Sequence, residues 1–211
     1  MRTKTETKRQ AILDVAADVF REMGFERASM SEICVRVGGS KATIYNYFTS
    51  KEELFFEVVL QATEAEFDAA HLALDPTGPD IGATLQEYGR RLLGLLYKPD
   101  VRAVRRLVVS EAGRSGLGLR TYDIGPRKDE ERVAGFLKEA MAQGRLRTSD
   151  PLIAARHLRA LLESEWLDRF LLQVIDTVPA EDLAAGVQRA VEVFLAAYGE
   201  ASLPGAGLNR R

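Results

Sequence analysis

The stretch from Ser29 to Lys51, SMSEICVRVGGSKATIYNYFTSK, constrains this chain more than any other. It holds two segments of helical periodicity, each of about two turns, divided by the glycine pair Gly38-Gly39. Helices shorter than about 12 residues are marginal by themselves in water. Both must be held by something larger, and Ile33, Val37, Ile44 and Phe48 mark the face that is held. Ser29, with Glu32 three positions on, reads as a capping box opening the first segment, and Ser40 caps the second, Lys41 to Tyr47. The preceding helix supplies the support. Its residues Ile12, Val15, Ala16, Val19, Phe20 and Met23 recur at helical spacing from about Lys4, and Gly24 ends it.

Burying one face of the second segment leaves the other free, with Lys41, Ala42, Thr43, Asn46 and Tyr47 on it. One cation, short hydroxyl and methyl groups, an amide and a phenol fit a major groove and reach both base edges and phosphates. Taken singly, these residues are ordinary. Lys41 alone reads as a solvated lysine, and Tyr45, Tyr47 and Phe48 read as core aromatics.

Together the residues carry a resemblance. Over about residues 8–56, RQAILDVAADVFREMGFERASMSEICVRVGGSKATIYNYFTSKEELF is similar to the N-terminal domain of TetR-family regulators, most closely in GGSKATIYNYF and SKEEL. The resemblance implies a helix-turn-helix that grips DNA. It places Ser29 and Ser40 at phosphate-facing caps and Lys41, Ala42, Thr43 and Asn46 on the groove side. Tyr45 and Tyr47 take the aromatic positions that clamp the backbone, and Lys51 the lysine that meets a phosphate. Cys34 stands where the family often has alanine, and Gly39 where it often has valine. The glycine is expected to loosen the seating of the recognition helix. Cys34 reads as a small buried hydrophobe, with a redox role as the lesser alternative.

The rest of the 211 residues is also helical in pattern, with no sustained period-two alternation. The expected fold class is all-α, with about nine helices. A long helix runs from Lys51 towards His71, and Asp75–Asp80 is a loop. Helices follow over about Ile81–Tyr97 and Val101–Arg114, with Pro99-Asp100 separating them. Gly113–Gly125 is irregular or briefly helical. Further helices start at Pro126, at Pro151 (reaching about Val174) and at Pro179 (ending near Tyr198). Residues 1–50 are expected to form the DNA-binding domain and 51–200 a ligand-binding and dimerisation domain. Residues 201–211 are expected to form a disordered tail. An Arg2/Lys4 arm is a candidate for an adjacent minor groove. Residues 1–51 carry nine Lys/Arg against six Asp/Glu, and the remainder reverses the sign, as suits a polyanion-binding head on an acidic body.

From VRRLVVSEAGRSG to WLDRFLL the chain resembles the AefR/AcrR-like subset of C-terminal domains, which implies a small-molecule pocket and a homodimer formed by the last two helices. The Pro151–Val174 segment agrees, since Ile153, Leu158, Leu161, Leu162, Trp166, Leu167, Phe170 and Leu171 occupy more than one face. Leu183, Val187, Val191, Phe194 and Leu195 suit the other half of a four-helix interface. Phe67, Tyr88, Leu92, Glu111, Trp166 and Phe170 are the candidate effector-binding residues, each equally readable as core. Glu111 needs a partner, and Arg105 or Arg90 is available.

The expected partners are double-stranded DNA with a palindromic operator, a second copy of the chain and a small-molecule effector. A body that binds a protein in place of a small molecule is the alternative. A helical binding protein or enzyme whose head has lost DNA binding is a further one. His71 and His157 lack metal-ligand spacing, and no GxSxG, P-loop or GxGxxG occurs. Glu111, Glu163 and Glu165 have no recognisable acid–base partner. No cofactor, metal or catalytic residue is expected. No apolar run is long enough to span a membrane, and a single cysteine forms no internal disulfide, which favours the cytoplasm.

Overall fold

The computed structural model describes residues 4–113 and 116–200. The expectations for Arg2, for Arg114 and for the 201–211 tail fall outside them. Among the described residues there are eleven helical elements and no strand. By packing they form two compact units, residues 4–65 with the described part of 98–119, and residues 66–97 with 120–200. These units are set by packing and are distinct from the functional division expected at residue 50.

In the first unit, α1 (Lys4–Arg27) is interrupted at Gly24, whose φ of 74° and ψ of 163° are non-helical. A residue with a Cβ resists that φ, so the glycine ends the helix as its position implied. The chain then makes one further turn, closed by the Ala28 N–H donating to the Gly24 carbonyl. α2 (Met30–Val37) starts at Ser29, whose hydroxyl accepts from the Glu32 N–H at 3.1 Å. The reciprocal half of the capping box is replaced by an ion pair. Glu32 accepts from Arg36 Nε at 2.8 Å, and Arg36 also reaches Glu22 of α1. Gly38 ends α2 in the left-handed region at φ 67°.

α3 (Lys41–Tyr45) is shorter than the expected Lys41–Tyr47. The Tyr47 and Phe48 N–H groups both donate to the Ile44 carbonyl, and that tightened turn closes the helix two residues early. α4 (Lys51–Leu72) is the long helix the periodicity implied, and its residues are divided between the two units at Ala65. α6 (Pro99–Glu111) starts two residues before the expected Val101, because Pro99 takes the first helical position instead of separating two helices.

The second unit holds α5 (Ile81–Leu96), α8 (Pro126–Ala142), α9 (Pro151–Glu163), α10 (Leu167–Leu171) and α11 (Ala180–Tyr198). Asp80 and Asp150 cap α5 and α9 through their carboxylates. α5 lies tight against α9 and α11. A Cβ on Gly89 would fall 2.7 Å from Leu162 Cδ2 and 2.8 Å from Val187 Cγ1, so only glycine permits the approach. The core around this point includes Leu85, Leu92, Leu158, Leu162, Val187, Val191 and Phe194.

Two differences account for the extra helices. The Gly113–Gly125 stretch contains α7 (Leu117–Ile124), and the expected Pro151–Val174 helix breaks at Ser164–Trp166. Ser164 N–H turns to the Leu161 carbonyl and Trp166 N–H to that of Glu163, so the register slips from i−4 to i−3. Trp166 leaves helical geometry at φ −124° and lays its indole 3.2 Å from the Cβ position of Gly186.

Candidate nucleic-acid interface and helical body

The α2–α3 pair is seated from below. Ile33 and Ile44 are fully buried, Phe48 is 1% exposed, and Cys34 is buried with them. Val37, expected to face inward, is half-buried, and a Cβ at Gly39 would lie 3.9 Å from its Cγ1. Arg9 of α1 anchors the seat from its own helix. It pairs with the buried Glu57 of α4 and sits 5.2 Å from the Phe48 ring centroid. The fixed Phe48 backbone in turn fixes the end of α3.

What α3 presents outward follows from that seating. Lys41, Ala42, Tyr45 and Asn46 are exposed, with Tyr45 at 45%, and Thr43 is half-buried. Ser40 caps α3 by accepting from the Thr43 N–H at 3.1 Å, and the Ser40 and Thr43 hydroxyls lie 2.8 Å apart. The Thr43 hydroxyl thus has a hydrogen-bond partner at the cap of its own helix. Ser29 caps α2 on the exposed side. Tyr47 is half-buried and, with Thr5, Thr7, Lys8 and Ala11 of α1, lines an open groove of about 560 Å³. Nothing in the sequence marks those α1 residues, which read as an ordinary polar first turn.

Lys51, expected to meet a phosphate, also has partners within the chain. Its ammonium donates to the Phe25 carbonyl at 2.8 Å and to that of Glu26 at 3.5 Å, and lies 4.2 Å from the Phe25 ring centroid. It ties the start of α4 to the last turn of α1. The sequence motif locates the residue; nothing in it shows this strut.

In the body, Tyr88, Leu92, Trp166 and Phe170 lie in one core cluster and are at most 8% exposed. Phe67 is half-buried near the end of α4, its ring 4.6 Å from that of His71. Tyr97, which no sequence motif marks, stacks on Phe170 at 4.4 Å and 25°. Glu111 groups with the first unit and the other five with the second. Arg90, offered as its partner, pairs instead with Glu87 at 2.6 Å. Leu152 and Ile153 of α9 and Val193 of α11 are apolar and exposed.

The body also holds a buried polar set. Asp129 accepts from Tyr88 at 2.6 Å, from His71 at 2.8 Å and from Arg159 at 2.7 Å. Burial pushes the Asp129 carboxyl up, but the His71 hydrogen bond, the Arg159 charge and the Tyr88 hydroxyl together hold it below the ordinary range. The Tyr88 phenol is pushed well above its ordinary value by burial and by the Asp129 charge, so it remains a donor. In the sequence Asp129 sits inside RKDEER, which reads as a solvated face. No local signal distinguishes it from its neighbours. Among the described residues no group of His, Cys, Asp and Glu is placed to hold a metal ion, and no helix is long and apolar enough to cross a membrane.

Comparison with known proteins covers both parts of the chain. Residues 12–58 match the family described as bacterial regulatory proteins, tetR family, and residues 83–200 match the AefR-like transcriptional repressor C-terminal domain. The Escherichia coli K12 regulator UidR is 41% identical over 64 residues, 30% of this chain and 33% of UidR. The chain thus matches about a third of that relative's length. A TetR-family transcriptional regulator from Mesorhizobium loti superposes with a TM-score of 0.79 at 29% identity, covering 94% of this chain and all of that one. The flavonoid-responsive regulator FrrA superposes with a TM-score of 0.67, also at 29% identity, covering 93% of this chain and 99% of its own.

Proposed function

This chain belongs to the TetR family of bacterial transcriptional regulators, DNA-binding proteins and not enzymes, and on that premise we propose that it is a sequence-specific repressor released from its operator by a small molecule. The observation that carries the reading is the outward side of α3, where Lys41, Ala42, Tyr45 and Asn46 stay exposed while Ile44 and Phe48 seat the helix. The groove-facing set is Lys41, Ala42, Thr43 and Asn46. Ser29, Ser40, Tyr45, Tyr47 and Lys51 serve the backbone, Lys51 chiefly by fixing the corner it spans.

Two such helices reach successive major grooves only when held about 34–36 Å apart, so the acting species is a homodimer on a palindromic operator. Its interface is built from α9 and α11. Residues 1–50 form the DNA-binding part and 51–200 the body, and the protein works in the cytoplasm. The effector is placed among Phe67, Tyr88, Leu92, Trp166 and Phe170 of the body. The response to flavonoids recorded in the name of FrrA supports a small molecule in that role. To act as a near-complete switch it must prefer the released conformer by about 10⁴-fold.

The test is selection of bound duplexes from a random pool by the full-length protein. An enriched palindrome whose affinity falls steeply with salt is the expected result. Absence of any salt-sensitive duplex binding overturns the reading.

A further inference from the structure

The polar set in the body constrains one proton. Asp129 of α8 is 1% exposed, and its Oδ1 receives both His71 Nε2 at 2.8 Å and the Tyr88 hydroxyl at 2.6 Å. Its Oδ2 receives Arg159 of α9 at 2.7 Å, and Glu163 lies 3.5 Å from the Arg159 Nε. His71, 9% exposed on the last turn of α4, sets its other nitrogen, Nδ1, 2.8 Å from the Phe67 carbonyl oxygen. A carbonyl oxygen only accepts, and so does an ionised carboxylate. Three donors converge on Asp129, which keeps it ionised. Both contacts are satisfied together only when each ring nitrogen of His71 carries a proton, as in an imidazolium. The buried charges then balance, with His71 and Arg159 positive and Asp129 and Glu163 negative.

We propose that His71 is a proton-dependent latch holding the end of α4 to α8. A neutral imidazole has one N–H and cannot serve two acceptors. On losing its proton, either Nδ1 would face the Phe67 carbonyl or Nε2 would face Asp129, lone pair against lone pair at 2.8 Å. The ring must then move, and the buried set is left with one negative charge in excess.

The groups around the ring have no proton to supply in its place. On α4 itself, Asp68 is paired with Arg132 of α8, which also lies 5.9 Å from the Phe67 ring centroid. On α5, Tyr88 already donates to Asp129, and Arg91 donates to the Ala69 carbonyl and to Glu87. On α9, Arg159 and Glu163 face each other. Histidine is the member of the set whose ordinary titration falls near neutral pH, so the latch responds where the remainder does not. The device is independent of the identity of any effector.

The chain has two histidines, His71 and His157, so the proton is directly observable. In full-length protein carrying His157→Gln, imidazole nitrogen NMR is expected to show both His71 nitrogens protonated at about pH 6, with one proton released on going towards pH 9. Loss of the proton leaves one of the two contacts of the ring unmade. Stability is therefore expected to fall as the pH is raised over this range. His71→Gln is expected to flatten that slope. A neutral His71 ring in folded protein at pH 6, or an unchanged slope in His71→Gln, overturns the proposal. Should His71→Gln fail to fold, the NMR titration decides alone.

Discussion

The Lys51 ammonium donates to the carbonyl oxygen of Phe25 at 2.8 Å while lying over the ring of the same residue. One side chain thus satisfies a helix-end carbonyl of α1 and covers an aromatic face, and it does so from the first position of α4. The helix-turn-helix sits between those two attachment points in sequence. Its geometry depends on that strut as well as on the packing beneath it.

Lys51→Ala is accordingly expected to lower stability by about 1–2 kcal/mol, from removal of the charged hydrogen bond and the ring interaction, discounted for partial exposure. Denaturant unfolding of the full chain measures this. If Lys51 acted at a phosphate alone, stability would be unchanged and only affinity would fall.

On the recognition helix, two kinds of change should separate. Lys41→Ala and Thr43→Ala are expected to alter which sequence is preferred, because both lie on the groove-facing set. Tyr45→Phe is expected to weaken binding to all sequences alike with the salt slope little changed, because an uncharged phenol contacts a phosphate without displacing a counterion. Competition binding with specific and scrambled duplexes distinguishes them, and a uniform weakening in Lys41→Ala and Thr43→Ala would reverse the assignment.

Gly38 and Gly39 are adjacent, yet they are expected to respond oppositely to alanine. Gly38 holds φ 67°, so Gly38→Ala should cost about 1–2 kcal/mol. At Gly39 a Cβ would meet only Val37, at 3.9 Å, and no left-handed φ is required. Gly39→Ala is expected to stabilise by roughly 0.4–1 kcal/mol through the unfolded chain. Paired thermal melts check both signs.

Gly89→Ala places a methyl 2.7 Å from Leu162 Cδ2 and 2.8 Å from Val187 Cγ1. Leu162 has a flexible end, but Val187 is β-branched and set in α11, so the helices must part. Destabilisation by about 1–3 kcal/mol is expected. Gly89→Ala combined with Val187→Ala should recover part of it, and simple additivity in the double variant would show that Val187 is not the obstacle.

Acid sensitivity should localise to Asp129. Its carboxyl is held below the ordinary range in the folded protein, so its contribution is present above the unfolded carboxylate value near 4. That contribution is lost as pH falls through the lower folded value. Unfolding followed from pH 6 to pH 2 is expected to show a shallower acid limb in Asp129→Asn than in the wild type. Parallel limbs would place the acid-labile group elsewhere.

Much of this protein is legible in local pattern, because helices, caps and breaks are decided within a few residues. Gly24, Gly38, Ser29, Ser40, Asp150, Pro126 and Pro151 do what their side chains or missing side chains require. The SKATIYNYF register likewise sets which side of α3 points outward, since burial of Ile44 and Phe48 leaves no other orientation. Longer-range matters are not legible there. Asp129 looks solvated among its charged neighbours until α4, α5 and α9 bring His71, Tyr88 and Arg159 around it. Lys51 becomes a strut only when the α1 turn folds beneath it, and the Pro151 helix breaks where Trp166 meets Gly186 on α11. The physical reason is common to all three. Backbone propensity acts between near neighbours in sequence, whereas the cost of a buried charge or a crowded ring is set by residues that only the completed fold makes neighbours.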